Sequence, residues 1–219
     1  MTLPKPKAVI FDWDDTIVDS WYTALEALNT ALVAMGHTAW TDMEARQRAG
    51  QSARDLFQKL FGDEWQKADK IYYDTFTKVF ANNMRVHDNV EDVLKALSEQ
   101  GVYLAVVSNK RGTLLRAEAE HTGFDKYFGK IVGAGDAEAD KPHPAPVHMA
   151  LEGSGIAAGP DVWFIGDSPT DMLCALNALC TPVLIETKLP PEEMLKKHPP
   201  AKRFKKHNDI MEFIKGEFV

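Results

Sequence analysis

Ala8-Val9-Ile10-Phe11-Asp12-Trp13-Asp14-Asp15-Thr16 is the stretch on which the rest of the chain is read. Four apolar residues run without alternation, which suits a strand of a parallel sheet covered on both faces. Three carboxylates then fall within four residues at the carboxyl end of that strand. Their mutual repulsion serves no structural purpose. A hard divalent cation held by oxygens would relieve it. Carboxylates two residues apart can also divide labour, one as nucleophile and one as acid and base.

Working outward, Val102 to Val107, Lys130-Ile131-Val132, Val162 to Ile165 and Pro182 to Ile185 read as further buried strands. Helical patterns lie between them. Val90, Val93, Leu94 and Leu97 follow the i, i+3, i+4, i+7 spacing and stop at Gly101. Leu114 to His121, Val147 to Leu151 and Met172 to Leu179 are the other helical candidates. Strand and helix in alternation predict a doubly wound, Rossmann-like α/β parallel sheet.

One crossover is too long for a loop. Roughly 90 residues separate Phe11 from Tyr103, where a whole crossover needs about 12. That stretch is itself helical: Trp21, Leu25, Leu28 and Leu32 share a face that ends at Gly36. Leu56, Leu60 and Phe61 follow, then Ile71 to Phe80 with aromatics at helical spacing. The expected division is a core of residues 1–19 and 86–219 and an inserted helical cap of residues 20–85. The insert leaves the sheet where ligands bind in such folds, so it can act as a lid. Lys188 to His207 holds four prolines and seven Lys/Arg against two Glu, and reads as a loop-like surface segment. Asn208 to Lys215 reads as a short closing helix.

Composition sets the outer limits. The chain has 219 residues and is 45% hydrophobic, enough for a substantial core. Its formal charge of -7 argues against a fold-wide nucleic-acid footprint. No apolar run approaches a membrane span, and Met1 to Lys7 lacks the apolar stretch of a signal peptide. Cys174 and Cys180 form neither a CxxC pattern nor a disulfide framework. These features predict a reduced, cytoplasmic, enzyme-sized protein; a monomer or homodimer is the expectation for its assembly, which no residue pattern specifies.

Polar clusters follow the other strands as well. Ser108-Asn109-Lys110 comes after Val107, Asp140-Lys141-Pro142-His143-Pro144 after the third core strand, and Gly166-Asp167-Ser168-Pro169-Thr170-Asp171 after the fourth. Carboxylates for an ion, with a lysine and neutral donors for anionic oxygens, suit a phosphoryl group. The order DxDxT, Ser-Asn, Lys-Pro, GDxxxD resembles the haloacid dehalogenase-like hydrolase superfamily, in its helical-cap phosphatase branch near phosphoglycolate phosphatase and β-phosphoglucomutase. Each motif alone is weak; four in order, each after a strand, are specific.

That resemblance implies roles for particular residues. Asp12 is the nucleophile that takes the phosphoryl group as an aspartyl-phosphate. Asp14 protonates the leaving alcohol and then activates water. Asp12, Asp167 and the backbone carbonyl of Asp14 surround a magnesium ion (Mg²⁺), with Asp171 beside them fixing Lys141 or a metal-bound water. Ser108 hydrogen-bonds the phosphoryl oxygens and Lys141 offsets charge on Asp12 and the phosphate. Thr16 supports the loop and, with Asn109 and Lys110, falls among the expected substrate contacts. An Asp at position 14 implies phosphoryl transfer and disfavours cleavage of carbon–halogen or carbon–phosphorus bonds.

Asp15 departs from the family's usual glycine, at a position that often needs positive φ; Asp tolerates this better than most residues. It reads either as a local variant or as a feature of a subfamily. In the insert, Arg46 to Arg54 is the candidate substrate loop, with Arg48 and Gln51 as expected substrate contacts and Arg48 suited to a second anionic group. The alternative is that its arginines form a solvated face. Trp13 reads as a packing residue or a substrate contact, and His143 and His148 as structural or surface residues. The expected activity is Mg²⁺-dependent hydrolysis of a small phosphate ester. A phosphomutase of the same cap class and a non-catalytic binding protein are the alternatives.

Overall fold

The computed structural model describes residues 3–48, 53–187 and 192–217. In chain order the elements are β1 (Ala8–Phe11), β2 (Val18–Asp19), α1 (Trp21–Ala34), α2 (Asp42–Arg46), α3 (Ala53–Phe61), α4 (Trp65–Asn83), β3 (Arg85–Val86), α5 (Val90–Glu99) and β4 (Tyr103–Arg111). Then come α6 (Gly112–Thr122), β5 (Lys130–Ala134), α7 (Ala145–Leu151), β6 (Val162–Gly166), α8 (Pro169–Asn177), β7 (Thr181–Ile185), α9 (Glu192–Lys197), β8 (Lys202–Phe204) and α10 (His207–Glu217). The chain divides into two compact units, residues 1–17 with 87–219, and residues 18–86.

The first unit is a doubly wound α/β core. Its six strands lie in the order β5-β4-β1-β6-β7-β8, and all the pairs are parallel. β1 is central and every residue in it is buried, which explains its unbroken apolar run. Ala8 and Ile10 pack with Ala105, Val107, Val162 and Phe164 against Val147, Ala150 and Leu151 of α7, Cys174 and Ala175 of α8, and Ala178 just past it. The buried stripe of α5 is Val90, Val93, Leu94 and Leu97, as its spacing predicts. Both cysteines are free and buried, and behave as small apolar core residues.

The second unit is helical. Ala31, Phe57 and Ala68 form its centre, with Leu28, Leu56, Trp65 and Tyr72 packed against them. The small residues Ala27 and Ala31 are more deeply buried on α1 than Leu25 and Leu28. Small side chains let helix backbones approach closely, so the leucine pattern overstated the leucines. The antiparallel pair β2–β3 belongs to this unit and was not expected. Two residues per strand are too short to leave a periodic signal.

One expectation is corrected here. Lys188 to His207 is not loop throughout: α9 and β8 lie within it, and β8 pairs parallel with β7 through Val183↔Lys202 to Ile185↔Phe204. Only Phe204 of β8 is buried, so a three-residue edge strand rich in cations hid its pattern. Edge strands with lysine and arginine discourage pairing with another chain. Among the described residues, no helix is long and apolar enough to cross a membrane.

Candidate active site

Strand register builds the site. Parallel pairing sets Phe11 beside Val106 of β4 and beside Ile165 of β6. The Asp12 N–H donates to the Ile165 carbonyl at 2.9 Å, the last rung of that ladder. Asp12 therefore directly follows β1 and Asp167 directly follows β6, while Ser108 lies two residues past Val106 within β4, which runs on to Arg111.

Lys141 arrives from the segment after β5. Its ammonium lies 2.8 Å from Asp12 Oδ1 and 2.7 Å from Asp171 Oδ1. The turn carrying Lys141 is fastened by Asn109. That amide donates to the Lys141 carbonyl at 3.0 Å and accepts from the Lys141 N–H at 2.9 Å. Asp171 is fully buried at the start of α8. Its Oδ2 accepts from the N–H and the hydroxyl of the N-cap residue Ser168 at 3.0 and 2.6 Å, while Ser168 Oγ accepts from the Asp171 N–H. This reciprocal cap holds the carboxylate where Lys141 needs it. Gly166 makes room: a Cβ there would lie 2.4 Å from the Asp171 carboxyl carbon.

A second group forms around Asp14. Lys110 Nζ donates to Asp14 Oδ1 at 2.6 Å and to both oxygens of Glu118 at 2.7 and 2.8 Å. The Trp13 indole N–H donates to Glu118 Oε2 at 2.6 Å. Trp13 is wholly buried with its ring edge-on to Phe128, so it is a packing residue. The loop itself turns at Asp15, whose φ is 58°. This is the left-handed conformation for which glycine is usual and aspartate is tolerated. The Asp15 carbonyl accepts from the Thr187 hydroxyl, and His207 Nε2 donates to the Thr16 carbonyl at 2.8 Å.

The structure therefore brings Asp12, Asp14, Ser108, Lys141, Asp167 and Asp171 into one unit. Three side chains expected at the substrate are engaged with the protein itself. Thr16 is buried with its hydroxyl 3.5 Å from Asp167 Oδ1, Asn109 braces Lys141, and Lys110 sits between two carboxylates. Arg48 belongs to the helical unit, where it donates to the Glu44 carbonyl at 2.9 Å and lies over the Trp40 ring. Arg46 pairs with Asp42 and lies over Trp21. Gln51 lies outside the described residues. Sequence reading missed Glu118. Its signal was an acid at i+3 from Leu115, on the face of α6 that also buries Ala119.

Electrostatics bear on what the cluster can hold. Asp12, Asp167 and Asp171 are buried, and one oxygen of each lies within 4.8 Å of the others. Burial pushes the Asp12 carboxyl up to about 7 against the pull of the Lys141 ammonium, with Asp171 and Asp14 adding to the rise. Burial works against the Lys141 ammonium too, yet Asp12 and Asp171 keep its pKa above the ordinary lysine value. One lysine charge against three carboxylates leaves the group short of positive charge. An all-oxygen donor set with that deficit fits a hard divalent cation. Both Asp171 oxygens are taken by Ser168 and Lys141, so Asp12 and Asp167 are the better ligands of the three.

The sequence model of the haloacid dehalogenase-like hydrolase family matches residues 9–185, which span all four motifs. The chain belongs to that family. A relative from Caldanaerobacter subterraneus, named putative pyrophosphatase PpaX, is 31% identical over 97% of this chain and 96% of its own length. A phosphoglycolate phosphatase from Vibrio vulnificus is 28% identical over 82% of this chain and 83% of its own. The crystal structure of a predicted phosphoglycolate phosphatase from Haemophilus somnus superposes with a TM-score of 0.81 at 25% identity, over 96% of this chain and 99% of the other. The chain falls in the phosphatase branch of the haloacid dehalogenase-like hydrolases.

Proposed function

We propose that the protein hydrolyses a small phosphorylated metabolite with Asp12 as nucleophile and Mg²⁺ as cofactor. The observation that carries this is the ion pair of Asp12 with Lys141 inside a buried cluster of carboxylates at the ends of parallel strands. A buried carboxylate with two more at hand has little reason to exist unless charge is to be brought to it.

In this reading Asp12 attacks phosphorus and forms an aspartyl-phosphate. Lys141 offsets negative charge on Asp12 and on the phosphoryl oxygens. Asp14 gives its proton to the departing alcohol oxygen, then takes one from the water that releases phosphate. Ser108 donates to a phosphoryl oxygen. Asp12 and Asp167 would hold the Mg²⁺, with the Asp14 carbonyl as the third protein ligand that the family resemblance implies. When bound, the ion supplies positive charge that lowers the repulsion between nucleophile and phosphate. The names of the relatives support a small, highly anionic substrate such as phosphoglycolate.

The test is release of free phosphate from phosphoglycolate and from p-nitrophenyl phosphate, with Mg²⁺ and with excess EDTA. We expect turnover that EDTA abolishes, that Mg²⁺ restores, and that Asp12→Asn reduces by at least about 10³-fold, in the range seen when a nucleophile is removed. Phosphate moved to another hydroxyl with none set free would assign a mutase. No turnover on a broad panel of phosphate esters would assign a binding protein.

A further inference from the structure

We propose that Lys110 and Glu118 are a buried positioning pair that aims the Asp14 carboxyl group at the departing oxygen. This rests on the reading of Asp14 as the group that protonates that oxygen.

Glu118 is fully buried on α6 and the Lys110 side chain is only 5% exposed. Taking two such charges out of water costs several kcal/mol per ion, and apolar residues of similar volume are often as stable or more so. Stability alone therefore does not explain the pair. Its geometry does. The Lys110 ammonium divides itself between Glu118 and Asp14, with oxygens at 2.6 to 2.8 Å on both sides. Glu118 is in turn gripped by the Trp13 indole N–H.

Trp13 and Asp14 are neighbours in the chain, so the four side chains close a ring: Asp14 to Lys110 to Glu118 to Trp13 and back through one peptide bond. Trp13 is itself locked by burial against Phe128. Every member is thus held from two directions. Asp14 alone stays partly open, at 31% side-chain exposure. Lys110 tethers Oδ1, and part of the carboxyl group stays exposed to solvent. A lysine in the sequence Ser-Asn-Lys would suit a phosphate oxygen, but this one has both of its acidic neighbours inside hydrogen-bond distance. Proton transfer depends steeply on placement, and a misplacement of about 1 Å can cost about 10²-fold.

The experiment compares kcat/KM for an alkyl ester, phosphoglycolate, with that for p-nitrophenyl phosphate. An alkoxide needs a proton to leave and p-nitrophenolate does not. kcat/KM reports the step that forms the aspartyl-phosphate and omits its later hydrolysis. Asp14→Asn sets the reference and should lower the alkyl-to-aryl ratio by about 10²-fold, a usual general-acid contribution. Lys110→Met and Glu118→Gln should each lower it in the same direction, by about tenfold. The double variant Lys110→Met/Glu118→Leu leaves no orphaned charge in the core, so it guards against simple unfolding. It should show the same fall in ratio with an unchanged circular dichroism spectrum.

A folded double variant with the wild-type ratio, or with equal losses on both esters, overturns the proposal. Should Asp14→Asn itself fail to separate the two esters, the reading of Asp14 falls and this inference falls with it.

Discussion

Gly166 shows how tightly single residues are specified. It ends β6 one position before Asp167, and a methyl group there would press into the Asp171 carboxylate. That carboxylate cannot retreat, because Ser168 holds one oxygen and Lys141 the other. Overpacking of this kind costs about 1–3 kcal/mol. We therefore expect Gly166→Ala to lower unfolding free energy by about 2 kcal/mol in urea titrations. Activity should fall as well, because Lys141 loses its second anchor. Unchanged stability and activity would mean that Asp171 has more freedom than the distances allow.

At the scale of elements, the sheet delivers the acids and two C-terminal segments brace the loop that bears them. Thr187, just past β7, holds the Asp15 carbonyl, and His207 at the start of α10 holds the Thr16 carbonyl. Burial brings the His207 imidazole down to about 4. The hydrogen bond to Thr16 opposes this, His87 stacked at 5.9 Å adds to it, and Asp88 opposes it. An unfolded histidine titrates near 6.5. The unfolded chain therefore takes up a proton where the folded chain does not, and stability drains away as pH falls from about 6.5 towards 4.

The stability difference between wild type and His207→Gln should be constant above about pH 7. It should shrink by about 3 kcal/mol between about pH 6.5 and 4. Urea titrations over that range read it directly. Parallel curves for the two proteins would contradict the assignment. The carboxamide in this variant can still donate to Thr16, so the comparison isolates the titration.

These braces mark the limit of what sequence could tell. β1, β4 and β6 were legible because buried parallel strands are continuously apolar, and the carboxylates beyond them stood out against that background. Asp15 was legible as a left-handed position because so few residues tolerate one. Glu118, Thr187 and His207 were not, since each acts on the motif loop from more than 100 residues away. Only the folded register shows which distant side chain meets which carbonyl. β8 and α9 were hidden by their own cations, and β2–β3 by their brevity.

On the scale of the whole molecule, the core unit concentrates buried and half-buried acids that folding alone would not choose. Asp12, Asp14, Glu118, Asp167 and Asp171 gather at one end of the sheet, with Lys110 and Lys141 among them. Such a cluster lowers stability unless function retains it. The claim that unites these features is that Asp12 bonds covalently to the transferred phosphoryl group. The most direct measurement is a rapid acid quench of the Mg²⁺-loaded enzyme during turnover of ³²P-labelled substrate, followed by peptide mapping. The account predicts label on the peptide bearing Asp12, lost in Asp12→Asn. Steady turnover with label on another residue, or with none on the protein under conditions that preserve acyl phosphates, would contradict it.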